Sequence, residues 1–430
     1  MKNVRIVYFR ILSVVVLLML GRISHADTLN LETCFERTRK NFPLQAQQAL
    51  YDQMLSEKIR SWERNWLPKI ALHANASYQS DVPELAISIP GQSLQLDLPR
   101  DRYQLYAELN QTIYDGGMSK VGKEIDLKET EIGQQKIKIG EKQLEEHVIR
   151  LYFAFLTLQK QKEIMKLTES LLDSRMKLLH SLREEGVADL SGELRLKAEL
   201  LKLKRAIREV NEQFQVSLEL METLIGRPLG SETYFSLPVL EKPAVVSVER
   251  PELRMLELQQ EKMEVSSKWI ESAKKPKIGA FARGGVGYPN PFNFFDNAVS
   301  PYYIFGASLT WSLVDWGDAG RKKSILELQR AMLEKEKENT MRNFEMKLLE
   351  QSAKSKQLKR SMESLEEELK IQEQLRKIED ARLKEGTIRE ADYLEAVISE
   401  KQVRMELEMM RIQLSLTEVN YQYINGSLFK

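Results

Sequence analysis

The chain has 430 residues, 30% of them charged, with 64 basic against 63 acidic side chains and a net charge of +1. That balance excludes the basic footprint of a nucleic-acid binder, and one cysteine excludes an internal disulfide. Few Gly and Pro beside long Lys/Glu/Leu/Gln tracts point to long helices rather than to a mixed globular fold.

Residues 1–26 read as a signal peptide. Lys2, Arg5 and Arg10 form a basic start, and Ile11 to Leu20 an apolar core too short to cross a bilayer as a helix. Ser24-His25-Ala26 places small residues at −3 and −1 of a cleavage site. An uncleaved anchor is the other reading of this segment. Cleavage removes four basic residues and no acid, which leaves a slight acidic excess. Leu31-Glu32-Thr33 before Cys34 is no lipobox, so Cys34 reads as a helix residue. No apolar run long enough for a transmembrane helix follows, so membrane insertion would have to use strands.

The rest is one unit written twice. A helical stretch lies between Pro43 and Pro68, and its copy lies between Pro251 and Pro276. From the second strand onward the offset is 200: Tyr103 aligns with Tyr303, Asp115 with Asp315, Gly117 with Gly317, Gly186 with Gly386 and Gly226 with Gly426. The units span residues 27–229 and 251–430. Residues 230–250 join them and are expected to lie as a belt against the helices.

Residues 69–79, 102–114, 277–287 and 302–313 are expected to be strands. Ile70, Leu72, Ala74, Ala76 and Tyr78 alternate with His73, Asn75 and Ser77, and Tyr303, Phe305, Ala307 and Leu309 alternate with Tyr302, Gly306 and Ser308. Period two with one apolar face fits a half-buried soluble sheet and a lipid-facing barrel wall alike. The absence of a second sheet to pack on favours the barrel. So does the placement of Trp62, Trp66, Trp269, Trp311 and Trp316 near the inner strand ends, as in an aromatic girdle. Four strands cannot close, and open edges in lipid leave backbone groups unpaired. Three chains pooling strands would form a twelve-strand barrel with a polar lumen.

Each second strand runs into Asp115-Gly116-Gly117 or Asp315-Trp316-Gly317. Asp suits a helix start and Gly a sharp change of direction, so these are expected strand-to-helix turns. A long helix follows each turn. From Met118 to Glu185 there is no proline, and about 65 residues would rise roughly 100 Å. Leu144, Val148, Leu151, Phe155, Leu158, Met165, Leu172, Met176 and Leu179 mark a coiled-coil seam, as do Leu358, Met362, Leu365 and Leu369. Each helix ends at Gly186 or Gly386 and a partner returns. Thr387 and Glu390 are expected to form a capping box, with Asp189 or Ser191 capping in the first copy.

These features, in this order and twice over, resemble the TolC-like outer membrane efflux proteins, the outer membrane factors. The resemblance covers residues 27–430 and rests on the paired prolines, the Asp-Gly turns and the tip Arg382-Leu383-Lys384-Glu385-Gly386. It implies a mainly α fold with a membrane β part: a homotrimer with a twelve-strand barrel continued by a twelve-helix periplasmic α-barrel. It implies the outer membrane of a Gram-negative bacterium, and a passive exit duct for drugs or other toxic compounds. The partners implied are a periplasmic adaptor, an inner-membrane transporter of RND, ABC or MFS type, and outer-membrane lipid. By the same resemblance, Asp392 and Glu395 would ring the entrance as a selectivity gate, while Gly186, Arg382, Leu383 and Gly386 would form adaptor-docking tips. Gly192 stands where the family carries an acid, and Leu383 where a tyrosine often sits, so the closing hydrogen bonds are expected to differ.

Type I protein secretion uses similar ducts, and a periplasmic coiled-coil scaffold is the rival of another class. An enzyme is not expected, and no cofactor or metal: His73, His147 and His180 are scattered, and no HExxH, P-loop or dinucleotide turn occurs.

Overall fold

The structure is a computed structural model that describes residues 28–82, 85–89, 92–96, 99–185, 190–230, 233–240, 250–293 and 297–429. In chain order the elements are β1 (Thr28–Leu29), α1 (Leu31–Asn41), α2 (Leu44–Arg64), β2 (Lys69–Tyr78), β3 (Leu85–Ile89), β4 (Gln92–Leu96) and β5 (Asp101–Tyr114). Then come α3 (Met118–Glu184), α4 (Leu190–Ile225), β6 (Tyr234–Phe235), α5 (Pro251–Ala273), β7 (Lys277–Tyr288), β8 (Ser300–Thr310), α6 (Asp318–Lys384) and α7 (Glu390–Asn425). The duplication is plain in the helices. Both long ones have 67 residues and both return helices 36.

Two compact units arise, each drawing on both repeats. One holds the sheet, α2, α5 and the first parts of α3 and α6. Its four strands run in the order β2-β5-β7-β8, all antiparallel. The junction between repeats is thus a strand pair, β5 on β7. The segment between Tyr78 and Asp101 contains a separate hairpin, β3 with β4. The fourth strand stops at Thr310, short of the expected 313. Its partner β7 begins at Lys277 opposite Thr310, so Trp311 and Leu313 have no neighbour in the ladder.

In this unit α3 is covered closely by its own chain. A Cβ on Gly122 would lie 2.4 Å from the Trp62 ring, and one on Gly133 2.4 Å from the Tyr51 ring. Trp62 also meets Trp269 edge-to-face at 5.9 Å and donates from Nε1 to Asp126 at 2.7 Å. Trp62 and Trp269 therefore pack among helices and are not part of a girdle. Trp66, Trp311 and Trp316 are exposed.

The other unit holds α1, the rest of α3 and α6, α4, α7 and the short parallel pair β1–β6. Its core gathers Val148, Ile149, Tyr152 and Phe155 of α3 with Phe214, Leu218 and Met221 of α4, Val419 and Tyr423 of α7, and Phe235. Phe235 stacks on Phe155 at 4.4 Å. The described part of the joining segment thus lies against the helices. Residues 241–249 lie outside the described residues. Tyr152 donates to the Leu29 carbonyl at 3.0 Å and the Ser236 carbonyl at 2.6 Å, tying β1 and the belt to α3. Asn41 donates from Nδ2 to the Thr223 and Leu224 carbonyls, closing the end of α4 before Gly226 turns left-handed. Cys34 is fully enclosed in this core, and burial pushes its thiol up to about 12. Such a thiol is inert at neutral pH.

Candidate functional site

The sheet has two chemically opposite faces, and the register fixes their membership. Opposite residues share a face, so Ile70, Leu72, Ala74 and Ala76 stand with Leu109, Ala107, Leu105 and Tyr103. These stand in turn with Ala282, Gly284, Val286 and Tyr288, and then with Phe305, Tyr303 and Pro301. Only Asp101, at a strand end, and Gln111 interrupt this face with a polar side chain. It is nevertheless bare: Ile70 is 72% exposed, Leu72 74% and Tyr303 78%. A sheet in water does not leave so large an apolar area uncovered. Strands of 10 to 14 residues, tilted, match a bilayer core.

The opposite face is polar. Glu108 accepts from Arg283 Nη2 at 3.0 Å across the β5–β7 junction and from Asn110 at 3.1 Å. His73 Nε2 lies 3.4 Å from the same carboxylate and stacks on Tyr106 at 5.0 Å. Among the described residues β2 and β8 are open edges, with backbone groups that no further strand pairs.

Both strand-to-helix turns have the expected chemistry. Asp115 Oδ1 accepts from the Gly117 amide at 2.9 Å and Oδ2 from the Ser119 amide at 2.7 Å. Asp315 does the same with Gly317 at 3.0 Å and Ala319 at 3.1 Å. Burial works against ionising Asp115, but the bonds from Ser119 and Gly117 prevail and hold its carboxyl below the usual range. The chain between each aspartate and its helix is left-handed at two successive residues: Gly116 (φ 75°) and Gly117 (φ 87°), then Trp316 (φ 53°) and Gly317 (φ 78°). A Cβ on Gly116 would lie 2.6 Å from the Ser272 carbonyl oxygen, so the first turn needs glycine there. Trp316 is 86% exposed and meets no such obstacle.

At the second tip, Gly386 (φ 71°) ends α6, and the Thr387 amide and hydroxyl both donate to the Arg382 carbonyl. Thr387 is thus spent on closing α6 and does not cap α7. The cap falls two residues later than expected: Asp392 accepts from the Arg389 amide at 3.0 Å, the role assigned to Glu390. Asp392 and Glu395 are both exposed on one side of α7, with Tyr393 and Leu394 buried between them. Arg382 is exposed and pairs with Glu379 at 3.2 Å, and Leu383 is half-buried. At the first tip, Gly186 and Asp189 lie outside the described residues. Ser191 is already inside α4, so it is not the cap.

Two features escaped the sequence reading. Glu193 of α4 pairs with Arg183 at 2.8 Å and lies 3.5 Å from His180. Glu400 of α7 is buried and bonded by Arg376 of α6 and by Arg404 at 3.0 Å, with Lys401 at 3.4 Å. Burial would raise its carboxyl; the hydrogen bonds from Arg404 and Arg376 outweigh that and hold it low. The signal for both was a charge at a seam position, which periodicity alone reads as a solvated face.

No group of side chains suited to a metal occurs among the described residues, and no helix there is long and apolar enough to cross a membrane.

The TP096X C-terminal domain family matches residues 282–422. No curated protein matches the sequence significantly. Solved structures match over nearly the whole chain. The outer membrane protein VceC from Vibrio cholerae is 15% identical, with a TM-score of 0.69 over 93% of this chain and 97% of that one. The CmeC outer membrane channel of Campylobacter jejuni is 13% identical, with a TM-score of 0.67 over 93% and 86%. The MtrE outer membrane channel of Neisseria gonorrhoeae, in its open state, is 17% identical, with a TM-score of 0.66 over 93% and 89%. The chain has the fold of these outer membrane channels.

Proposed function

We propose that this chain is an outer membrane factor: the passive outer-membrane duct of a tripartite efflux system, working as a homotrimer. The observation that carries this reading is the sheet, apolar and bare on one face, polar on the other and, among the described residues, unpaired at both edges. Unpaired backbone groups cost several kcal/mol each in lipid, on the order of the price of a lost hydrogen bond without water. A second and third copy docking edge to edge remove that cost and close the wall around its polar face. The likeness to the CmeC and MtrE outer membrane channels supports the channel role.

In this reading the helices continue the duct into the periplasm of a Gram-negative cell, and cargo moves by diffusion. Energy comes from an inner-membrane transporter engaged through a periplasmic adaptor. The adaptor docks at the helical tips, and the proposed docking residues are Arg382, Leu383 and Gly386 of the second repeat and Gly186 of the first. Asp392 and Glu395 ring the entrance, where carboxylates favour cations.

The full-length protein in mild detergent is expected to run as a trimer, and in a planar lipid bilayer to pass current. A monomer that conducts nothing ends this reading. Arg382→Glu is expected to abolish cargo export while trimer and conductance persist; an unassembled Arg382→Glu chain shows instead that the residue serves folding.

A further inference from the structure

The polar face of the sheet is unbalanced in charge. Lys69 and His73 of β2 share it with Arg102 and Glu108 of β5 and with Lys277 and Arg283 of β7. The polar-face residues of β8 are uncharged. Glu108 is thus the sole acid on this face, and it is already matched by Arg283 at 3.0 Å and approached by His73. Lys69, Arg102 and Lys277 have no acidic partner among the described residues. Lys69 and Lys277 are exposed, and the Arg102 Nε atom has no hydrogen-bond partner.

Their positions follow from the ladder. Lys69 and Lys277 open the first strand of each repeat, at the helix-side end. Arg102 lies at the far end of β5, opposite Ser77. The uncompensated cations therefore form two bands, one at each end of the strands, with the neutralised Glu108–Arg283 pair between them. Charges spaced along a low-dielectric wall add their fields over a Debye length of about 8 Å at physiological salt, so such bands bias which ion enters. Rings of Lys and Arg select anions.

We propose that the sheet's polar face is an anion-selecting wall, with Lys69, Arg102 and Lys277 as its selectivity residues, and that the cargo class it favours is small organic anions bearing carboxylate or sulfonate groups. The inference rests on the duct reading, because only a closed barrel turns this face into a lumen. It opposes the cation preference assigned to Asp392 and Glu395, so the two ends of the duct carry opposite filters. Neither filter alone sets the whole pore's preference.

The experiment is reversal-potential measurement on the full-length protein in planar bilayers under a KCl gradient. Asp392→Asn/Glu395→Gln is the background that removes the entrance acids, and there chloride is expected to permeate better than potassium. Adding Lys69→Glu, Arg102→Glu and Lys277→Glu to that background is expected to lower the chloride-to-potassium permeability ratio at least threefold. The neutral triple Lys69→Gln, Arg102→Gln and Lys277→Gln is expected to give an intermediate ratio, and it keeps the test open if the charge-reversed chain fails to assemble. Sodium benzoate in place of KCl tests the organic class, and the background pore is expected to carry benzoate current. A conducting pore whose ratio is the same in all three variants overturns the anion-selecting wall. Blocked benzoate overturns the organic assignment. No conductance in the unmutated protein overturns the duct reading instead.

Discussion

Met176 and Leu200 of the first repeat correspond, at the 200-residue offset, to Arg376 and Glu400 of the second. The first two sit in an apolar cluster with Leu172, Leu179 and Leu196; the second two form an ion pair with a buried carboxylate at the same place in the other hairpin. A second contrast runs along the long helices. Ile149 of α3 is 2% exposed, whereas its counterpart Leu349 of α6 is 72% exposed, and Ile132 and Met332 differ in the same way. Duplication supplied two copies of one plan, and each copy has since met different surroundings. Copy one is dressed by its own chain. Copy two keeps apolar positions on its outer side that, in the proposed trimer, a neighbouring chain covers.

The largest effect is expected at the ion pair. Removing the arginine strands the enclosed Glu400 carboxylate, so Arg376→Met should destabilise the α6–α7 hairpin by about 3–5 kcal/mol. The double change Arg376→Met/Glu400→Leu, which copies the first repeat, should be close to neutral, because apolar packing replaces a costly desolvated pair. Hydrogen exchange of α7 amides reads both. If the double variant is as loose as the single one, the two hairpins are not equivalent in packing. Glu400 also gives a pH signature. Its carboxyl is held lower when folded than when unfolded, so its contribution is present above the unfolded value and lost as pH falls through the folded one. The hairpin should loosen below about pH 4, and Glu400→Gln should abolish that step.

Next in size is the comparison of Ile149 with Leu349. Ile149→Ala opens a core void and should cost about 2–5 kcal/mol of stability. Leu349→Ala should leave the protomer's stability almost unchanged yet weaken the trimer, as native mass spectrometry over a dilution series would show. Equal trimer stability in wild type and Leu349→Ala would mean that no neighbour covers this side of α6.

The turns come third. Gly116→Ala faces both a left-handed backbone, at about 1–2 kcal/mol, and the Ser272 carbonyl. Trp316→Gly relieves the same backbone angle and should be neutral or stabilising by about 1 kcal/mol. Thermal melts of the two variants test this, and a harmless Gly116→Ala would remove the steric account of why one turn reads Gly and the other Trp. The smallest effect is expected from Asp392→Ala, which loses the α7 cap at about 1 kcal/mol, whereas Asp392→Asn keeps it. Matched melts of the two variants separate capping from any part in ion selectivity.

Much of this was legible in the sequence, and the reasons are local. Alternation in Ile70–Tyr78 and Tyr303–Leu309 needs only a period of two, and a proline-free run after Asp115 needs only a helix. The strand order was not legible, because β5 pairing with β7 joins residues about 175 apart and depends on no local signal. The α7 cap was displaced because Thr387 has two possible uses, and closing α6 took the hydroxyl. Glu193 and Glu400 were hidden for one shared reason: a carboxylate on a charged helix is usually solvated, and only the position of the facing Arg183 or Arg376 shows otherwise.

The enclosure of Cys34 has a practical consequence. With its lone thiol sealed and unreactive, the wild-type chain is already a blank background for sulfhydryl labelling. A cysteine placed at Leu72 or Phe305 should take up a lipid-soluble maleimide, and one at Asn75 or Ser308 a membrane-impermeant reagent delivered through water. Two positions three residues apart on one strand would then report, by which dye they accept, which side of the wall is wet.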